Sequence, residues 1–220
     1  MIQELFDLCD ERGRLLGRTK PRAEVHRDGD WHRAFHCWVF DRAEDRDVRI
    51  LLQLRAPDKD TSPDLWDVSV GGHYSAGEGI EGGIREMQEE LGLIVDPDDL
   101  IHAGWRHARV DSDLIHDHEV QDIYFLERPI ELSALAPDPS EVPAVALVTG
   151  KMLLDLTEGR CHQATVTGAR VGPSGTVRPA EIALSADRLI VRADGYYGKA
   201  VSFARKLARG HKPARRTWWS

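Results

Sequence analysis

The chain is 220 residues long, with 41% apolar and 30% charged residues, a balance that fits a globular protein with a full core. Its formal net charge of −8 argues against a general nucleic-acid binder, and no apolar run approaches the ~20 residues needed to span a bilayer. Cys9, Cys37 and Cys161 lack disulfide or zinc-pair spacing, and the acidic start MIQELFDLCDERG has no secretory pattern, so a cytoplasmic protein is expected.

Taken in order, residues 4–10 read as a strand, residues 10–13 as a turn, and residues 15–19 as a second strand. Pro21 opens a short segment ending at His26. The aromatic run WHRAFHCWVF, 31–40, predicts a buried strand, and 48–54 predicts the next, ending at Arg55. The loop APDKDTSPD runs into Leu65, Trp66, Val68 and Val70, an alternating apolar stretch that stops at Gly71-Gly72-His73. After a central helix, Asp96-Pro97 breaks the chain. Residues 101–110 and 115–126 predict an antiparallel pair, 142–148 a short strand and 151–156 a helix. Beyond residue 159, segments 161–171 and 177–184 predict a hairpin, and 196–209 has helical spacing that ends at Gly210. From Gly195 onward there are seven Lys or Arg and no acid, so the remainder carries −15. Few helices among many strands indicate an α+β or α/β sandwich.

The central helix carries REMQEELG, residues 85–92. Glu86, Glu89 and Glu90 stand at i, i+3 and i+4 and so crowd one face, which disfavours a helix unless a cation lies between them. Mg²⁺ or Mn²⁺ takes such hard oxygen ligands. Gly79, Gly82 and Gly83, each costing about 1 kcal/mol in a helix interior, show that this helix is not optimised for its own stability.

This stretch resembles the Nudix box, Gly-x5-Glu-x7-Arg-Glu-apolar-x-Glu-Glu-x-Gly-apolar. Arg85, Glu86, Met87, Glu89, Glu90, Gly92 and Leu93 match its second half. Gly72 and Glu78 keep the first spacing, with one residue deleted before Arg85. The resemblance implies a Nudix-type αβα sandwich with a mixed central sheet over residues 1–149, and a C-terminal extension, 150–220, packed on it. It also implies a metal-dependent hydrolase of a nucleoside diphosphate linked to another group, or of a similar organic diphosphate. Glu86, Glu90 and Glu89 would bind metal, Gly72 would let the backbone approach it, and Arg85 would orient the glutamates. Glu78 and Glu119 are the candidates for base or further ligand.

Residues 4–149 resemble more specifically the isopentenyl-diphosphate isomerase branch, through WHRAFHCWVF, RAPDKDTSPDLWDVSVGGH and IHDHEVQDIYF. That likeness implies a metal group at His26, His32, His73, Asp117 and Glu119, and diphosphate contacts from Arg55, Lys59 and Arg22. Read as residues alone, His32 could equally be a core histidine, His73 a loop cap, and Arg55 and Lys59 charge balance in an acidic loop. The isomerases' catalytic cysteine falls on Gly71, which has no proton to give. The intact glutamate cluster therefore favours hydrolysis. An isomerase-like enzyme and a non-catalytic binding module of the same fold are the alternatives. The long C-terminal segment leaves room for a homodimer.

Overall fold

The structure, a computed structural model, describes residues 4–112, 115–192 and 194–211. Its hub is β3 (Trp31–Arg42), whose side chains alternate between two cores. Phe35, Cys37 and Val39 face one core, while Trp38 and Phe40 face the other. Around it run β1 (Leu5–Cys9), β2 (Leu15–Pro21), β4 (Val48–Leu54), β5 (Trp66–Asp67), β6 (Val70–His73), β7 (Ile101–Asp111), β8 (His116–Glu127), β9 (Ala144–Thr149), β10 (Gln163–Val171) and β11 (Val177–Ser185).

β3 pairs antiparallel with β1, β4 and β6 and parallel with β8, so the sheet is mixed. β7 adds to β8, and β9, β10 and β11 continue outward from β4. The stretch expected to be one strand before the box is two short ones. β5 pairs with β4 and β6 crosses to β3. Ser69 sits at the crossing, donating to Leu51 O at 2.6 Å and accepting from Val39 N at 2.8 Å, so the break leaves no buried hydroxyl unmet.

Helices α1 (Arg22–Asp28), α2 (Ile80–Leu91), α3 (Gly150–Thr157) and α4 (Tyr196–Ala208) complete the chain. α1 runs two residues past the expected stop at His26, to a left-handed Gly29 cap. α2 buries Met87 and Leu91 in the core beneath one sheet face, and α3 and α4 bury Leu153, Leu156, Tyr197, Val201 and Leu207 against the other. This is an α+β sandwich of helix, sheet and helix. No helix of the described residues is long and apolar enough to cross a membrane.

The C-terminal hairpin and helix form as the pattern predicted. β10 pairs with β9, so the sheet is continuous across residue 150. Lys212, Arg215, Arg216 and the Trp218-Trp219 pair lie outside the described residues.

Candidate active site

α2 lies close to β3 because its glycines permit it. A Cβ on Gly83 would fall 2.3 Å from the Phe35 ring, and one on Gly82 would fall 2.5 Å from Glu78 Oε2. Gly79 is the N-cap rather than an interior residue. The two interior glycines trade helix propensity for a close helix–sheet approach, which brings the far end of α2 against Gly71 and Gly72 of β6.

The structure divides the acidic cluster. Glu86 and Glu90 line a cleft, whereas Glu89 has a 56% exposed side chain and turns to Arg85. Arg85 sits among the acids, as expected of an orienting residue. It donates to Glu78 at 3.2 and 3.0 Å, to Glu86 Oε1 at 3.0 Å and to Glu89 Oε2 at 2.7 Å. Glu78 also accepts from Ser75 N at 2.8 Å, is held below its ordinary value chiefly by Arg85, and does not line the cleft.

Glu90 is buried and accepts from Gln53 Nε2 at 3.0 Å and Gly71 N at 3.2 Å. Burial, and then the neighbouring Glu86, push it up to about 7, while burial also raises Glu86. A divalent cation facing these two carboxylates would relieve both effects. Gly72 is required by geometry: a Cβ there would lie 2.4 Å from Glu86 Cδ, so its absence makes room for the ligand carboxylate itself.

A second group borders the same cleft through His73 and Asp117, with His26 and His32 buried behind them. His26 comes from α1, His32 from β3, His73 from β6 and Asp117 from β8, with one ligand atom of each within 4.8 Å of the others. Asp117 Oδ1 lies 3.7 Å from His26 Nε2 and 3.5 Å from His32 Nε2. Three of the ligand atoms, His26 Nε2, His32 Nε2 and Asp117 Oδ1, are buried without a hydrogen-bond partner, and His73 Nε2 has only Glu119 within reach. Unmet buried polar atoms cost about 1–3 kcal/mol each. One divalent ion would satisfy all three, so the donor set fits a cation. Burial lowers His26 to about 4 and His32 to about 3, leaving neutral imidazoles able to ligate, and raises Asp117 to about 7. Glu119 lies beside the group, 2.8 Å from His73 Nε2. Against the cost of burial, contact with His73 holds its carboxyl well below the ordinary value.

Register explains how distant residues meet. His32 is level with Glu119 across the parallel β3–β8 pair, and Ala34 with His73 across β3–β6.

Arg22, Arg55 and Lys59 line the cleft as expected. Arg22 donates to Glu4 at 3.1 Å, and its Nε is buried without a partner. Arg55 donates to Thr61 O at 3.1 and 2.9 Å, and Lys59 pairs with Glu141. The sequence reading missed His36, Asp67, Gln121 and Arg192, which also line it. The first three sit on predicted strands beside motif residues, but no spacing rule singles them out. Arg192 lies in a segment with no motif.

The NUDIX domain family model matches residues 30–167. The chain is 34% identical over 197 residues to an uncharacterized Nudix hydrolase of Clostridium acetobutylicum, covering 90% of this chain and 95% of that one. It is 32% identical over 157 residues to an isopentenyl-diphosphate Delta-isomerase of Paenarthrobacter aurescens, 70% of this chain and 81% of the relative. Among solved structures, DR0079 of Deinococcus radiodurans aligns at 25% identity with a TM-score of 0.49, over 69% of this chain and 86% of that one. A domain match over more than half the residues, joined to a relative similar over nearly its whole length, places the chain in the Nudix hydrolase family.

Proposed function

We propose that the protein is a divalent-metal-dependent, cytoplasmic hydrolase that cleaves the phosphoanhydride of a nucleoside diphosphate linked to a second group, or of a similar organic diphosphate. The observation that carries this reading is that Glu86 and Glu90 share one cleft with Arg22, Arg55 and Lys59. Acid ligands for a cation and cationic arms for phosphates thus line one cleft. Mg²⁺ or Mn²⁺, when bound, would neutralise phosphate oxygens and lower the pKa of bound water. Glu86 and Glu90 hold it, with Arg85 fixing the Glu86 carboxylate. Arg55 grips phosphate as a fork, while Lys59 and Arg22 add charge. Glu119 lines the cleft, where Glu78 does not, and as a carboxylate within reach of the attacking water it takes the proton. Water adds to one phosphorus and the other phosphate leaves. His26, His32, His73 and Asp117 hold a second cation. Residues 150–220 act as an extension of the 1–149 domain.

The second reading, an isomerase-like enzyme, is favoured by the histidine group and by the relative's name. Gly71 stands against it. A Cβ there would meet His36 Cδ2 at an ordinary 3.4 Å, so packing does not require a glycine in place of a proton-bearing side chain. The test is incubation with Mg²⁺ and a panel of nucleotide sugars, dinucleotides, nucleoside triphosphates and prenyl diphosphates. Phosphate-bearing fragments support hydrolysis. Isomer exchange without them selects the isomerase, and binding without turnover selects a binding module.

A further inference from the structure

Arg192 reaches the cleft from outside the family-matched residues, between β11 and α4. Its side chain is 8% exposed. Nη2 donates to Asp67 Oδ1 at 2.5 Å, the guanidinium lies over the Tyr196 ring at 5.1 Å, and Nε is buried without a partner. Asp67 is shared, because Arg55 Nη1 lies 3.8 Å from its other oxygen. Despite burial, which favours its neutral form, Asp67 is held at about 2, chiefly by Arg192. One carboxylate therefore faces two guanidiniums, which leaves a cationic excess where Asp67 lines the cleft.

The segment carrying Arg192 is pinned in place. Ile190 N donates to Trp66 O at 3.1 Å, and Leu189 bridges to Trp66. Arg106, which donates to Gln121 Oε1 at 2.7 Å, also grips Asp194 at 2.7 and 3.1 Å. Tyr196 accepts from Trp38 Nε1 at 3.1 Å and lies 2.9 Å from His36 Nδ1. A guanidinium so oriented, with its rotamer entropy already lost, is preorganised for a planar, bidentate anion.

We propose that Arg192, with Arg55, forms a phosphate-binding subsite for the substrate's diphosphate, supplied by the C-terminal segment and supported by Asp67. This deepens the diphosphate reading above and rests on it. In that role Arg192 is a substrate-binding residue, and Asp67 positions both guanidiniums.

The experiment is calorimetric titration of the Mg²⁺-loaded protein with methylenediphosphonate, which cannot be hydrolysed. The wild type is compared with Arg192→Gln, Arg192→Lys and the double variant Asp67→Asn/Arg192→Gln. The double variant removes the buried charge pair together, so it keeps the fold testable if Arg192→Gln alone fails to fold. Loss of charge-assisted hydrogen bonds should weaken binding by about tenfold to a hundredfold in the Gln variant and by at least as much in the double variant, with Lys intermediate. With a substrate that turns over, KM should rise by the same factor and kcat should change little. Wild-type affinity in the double variant would show that Arg192 serves only Asp67 and would overturn the proposal, as would a wild type that does not bind. Because binding is read without turnover, an Arg192-dependent Kd in a protein that cleaves no diphosphate would sink the hydrolase reading and leave the anion subsite standing.

Discussion

A pair of glutamates and a cluster of histidines with an aspartate adjoin one cleft, and they are held in opposite ways. On α2, Glu86 and Glu90 already have partners in Arg85, Gln53 and the Gly71 amide. In the histidine group, His26 Nε2, His32 Nε2 and Asp117 Oδ1 have none, and His73 Nε2 has only Glu119. The first group is contiguous in the chain and is supported by donors that remain whether or not an ion is present. The second is gathered from one helix and three strands, and an ion would complete the three ligand atoms that have no partner. Its ion should therefore be the more tightly coupled to folding, and the α2 ion the more directly coupled to catalysis.

The largest effect should follow Glu90→Gln. It keeps the shape and the Gly71 contact but removes a ligand charge, so turnover should fall by about a hundredfold to a thousandfold, with the secondary-structure spectrum unchanged. Activity within a few-fold of wild type would break the assignment of α2 as the catalytic side. Next, His32→Gln should lower affinity for Mn²⁺ at the histidine group by about a hundredfold, read by titration of chelator-stripped protein. Loss of Mn²⁺ uptake in Glu90→Gln but not in His32→Gln would reverse the comparison. Gly72→Ala should cost about tenfold in activity, because the added methyl displaces Glu86 and misplaces a reacting group. A crystal structure of that variant with Glu86 unmoved would remove the reason.

The smallest effect concerns pH, and the two groups should pull in opposite directions in chelator-treated protein. His32, lowered from 6.5 to about 3, stays neutral in the fold while the unfolded chain takes up a proton, so its stabilisation is lost as pH falls below 6.5. Glu90, raised from 4.5 to about 7, binds a proton in the fold that the unfolded chain has already released. Stability therefore falls as pH rises from 4.5 towards 7. Denaturant midpoints should show His32→Gln flattening the acid limb and Glu90→Gln flattening the limb towards neutrality. If neither limb responds, the buried charges are compensated otherwise.

How much of this was legible follows from the same contrast. Arg85, Glu86, Glu89 and Glu90 could be read because helical periodicity turns a short string into a face. That argument made the face too uniform, however. Arg85 draws Glu78 and Glu89 away from the cleft, and a sequence cannot show which way a guanidinium turns its five donors. The histidine group was reachable only by resemblance, since nothing in the spacing of 26, 32, 73 and 117 says they meet. Gly82 and Gly83 were legible as anomalies, and the Phe35 ring against Gly83 supplies the cause. Arg192 gave no signal at all, because a lone arginine between a hairpin and a helix resembles any solvated loop charge. Its importance comes from Asp67 and Tyr196, met only in three dimensions.

The parallel β3–β8 pairing bears on how the gene can change. His32 and Glu119 share a rung, and His36 stands four rungs further along the same face of β3. Inserting or deleting one codon between Trp31 and Phe35 would turn every side chain beyond it to the other face of the sheet, moving His36 into the core with Met87 and Leu91 and Phe35 onto the face of Trp38 and Phe40. Evolution along this strand is thus confined to point replacement, while length variation is diverted to the connections at either end.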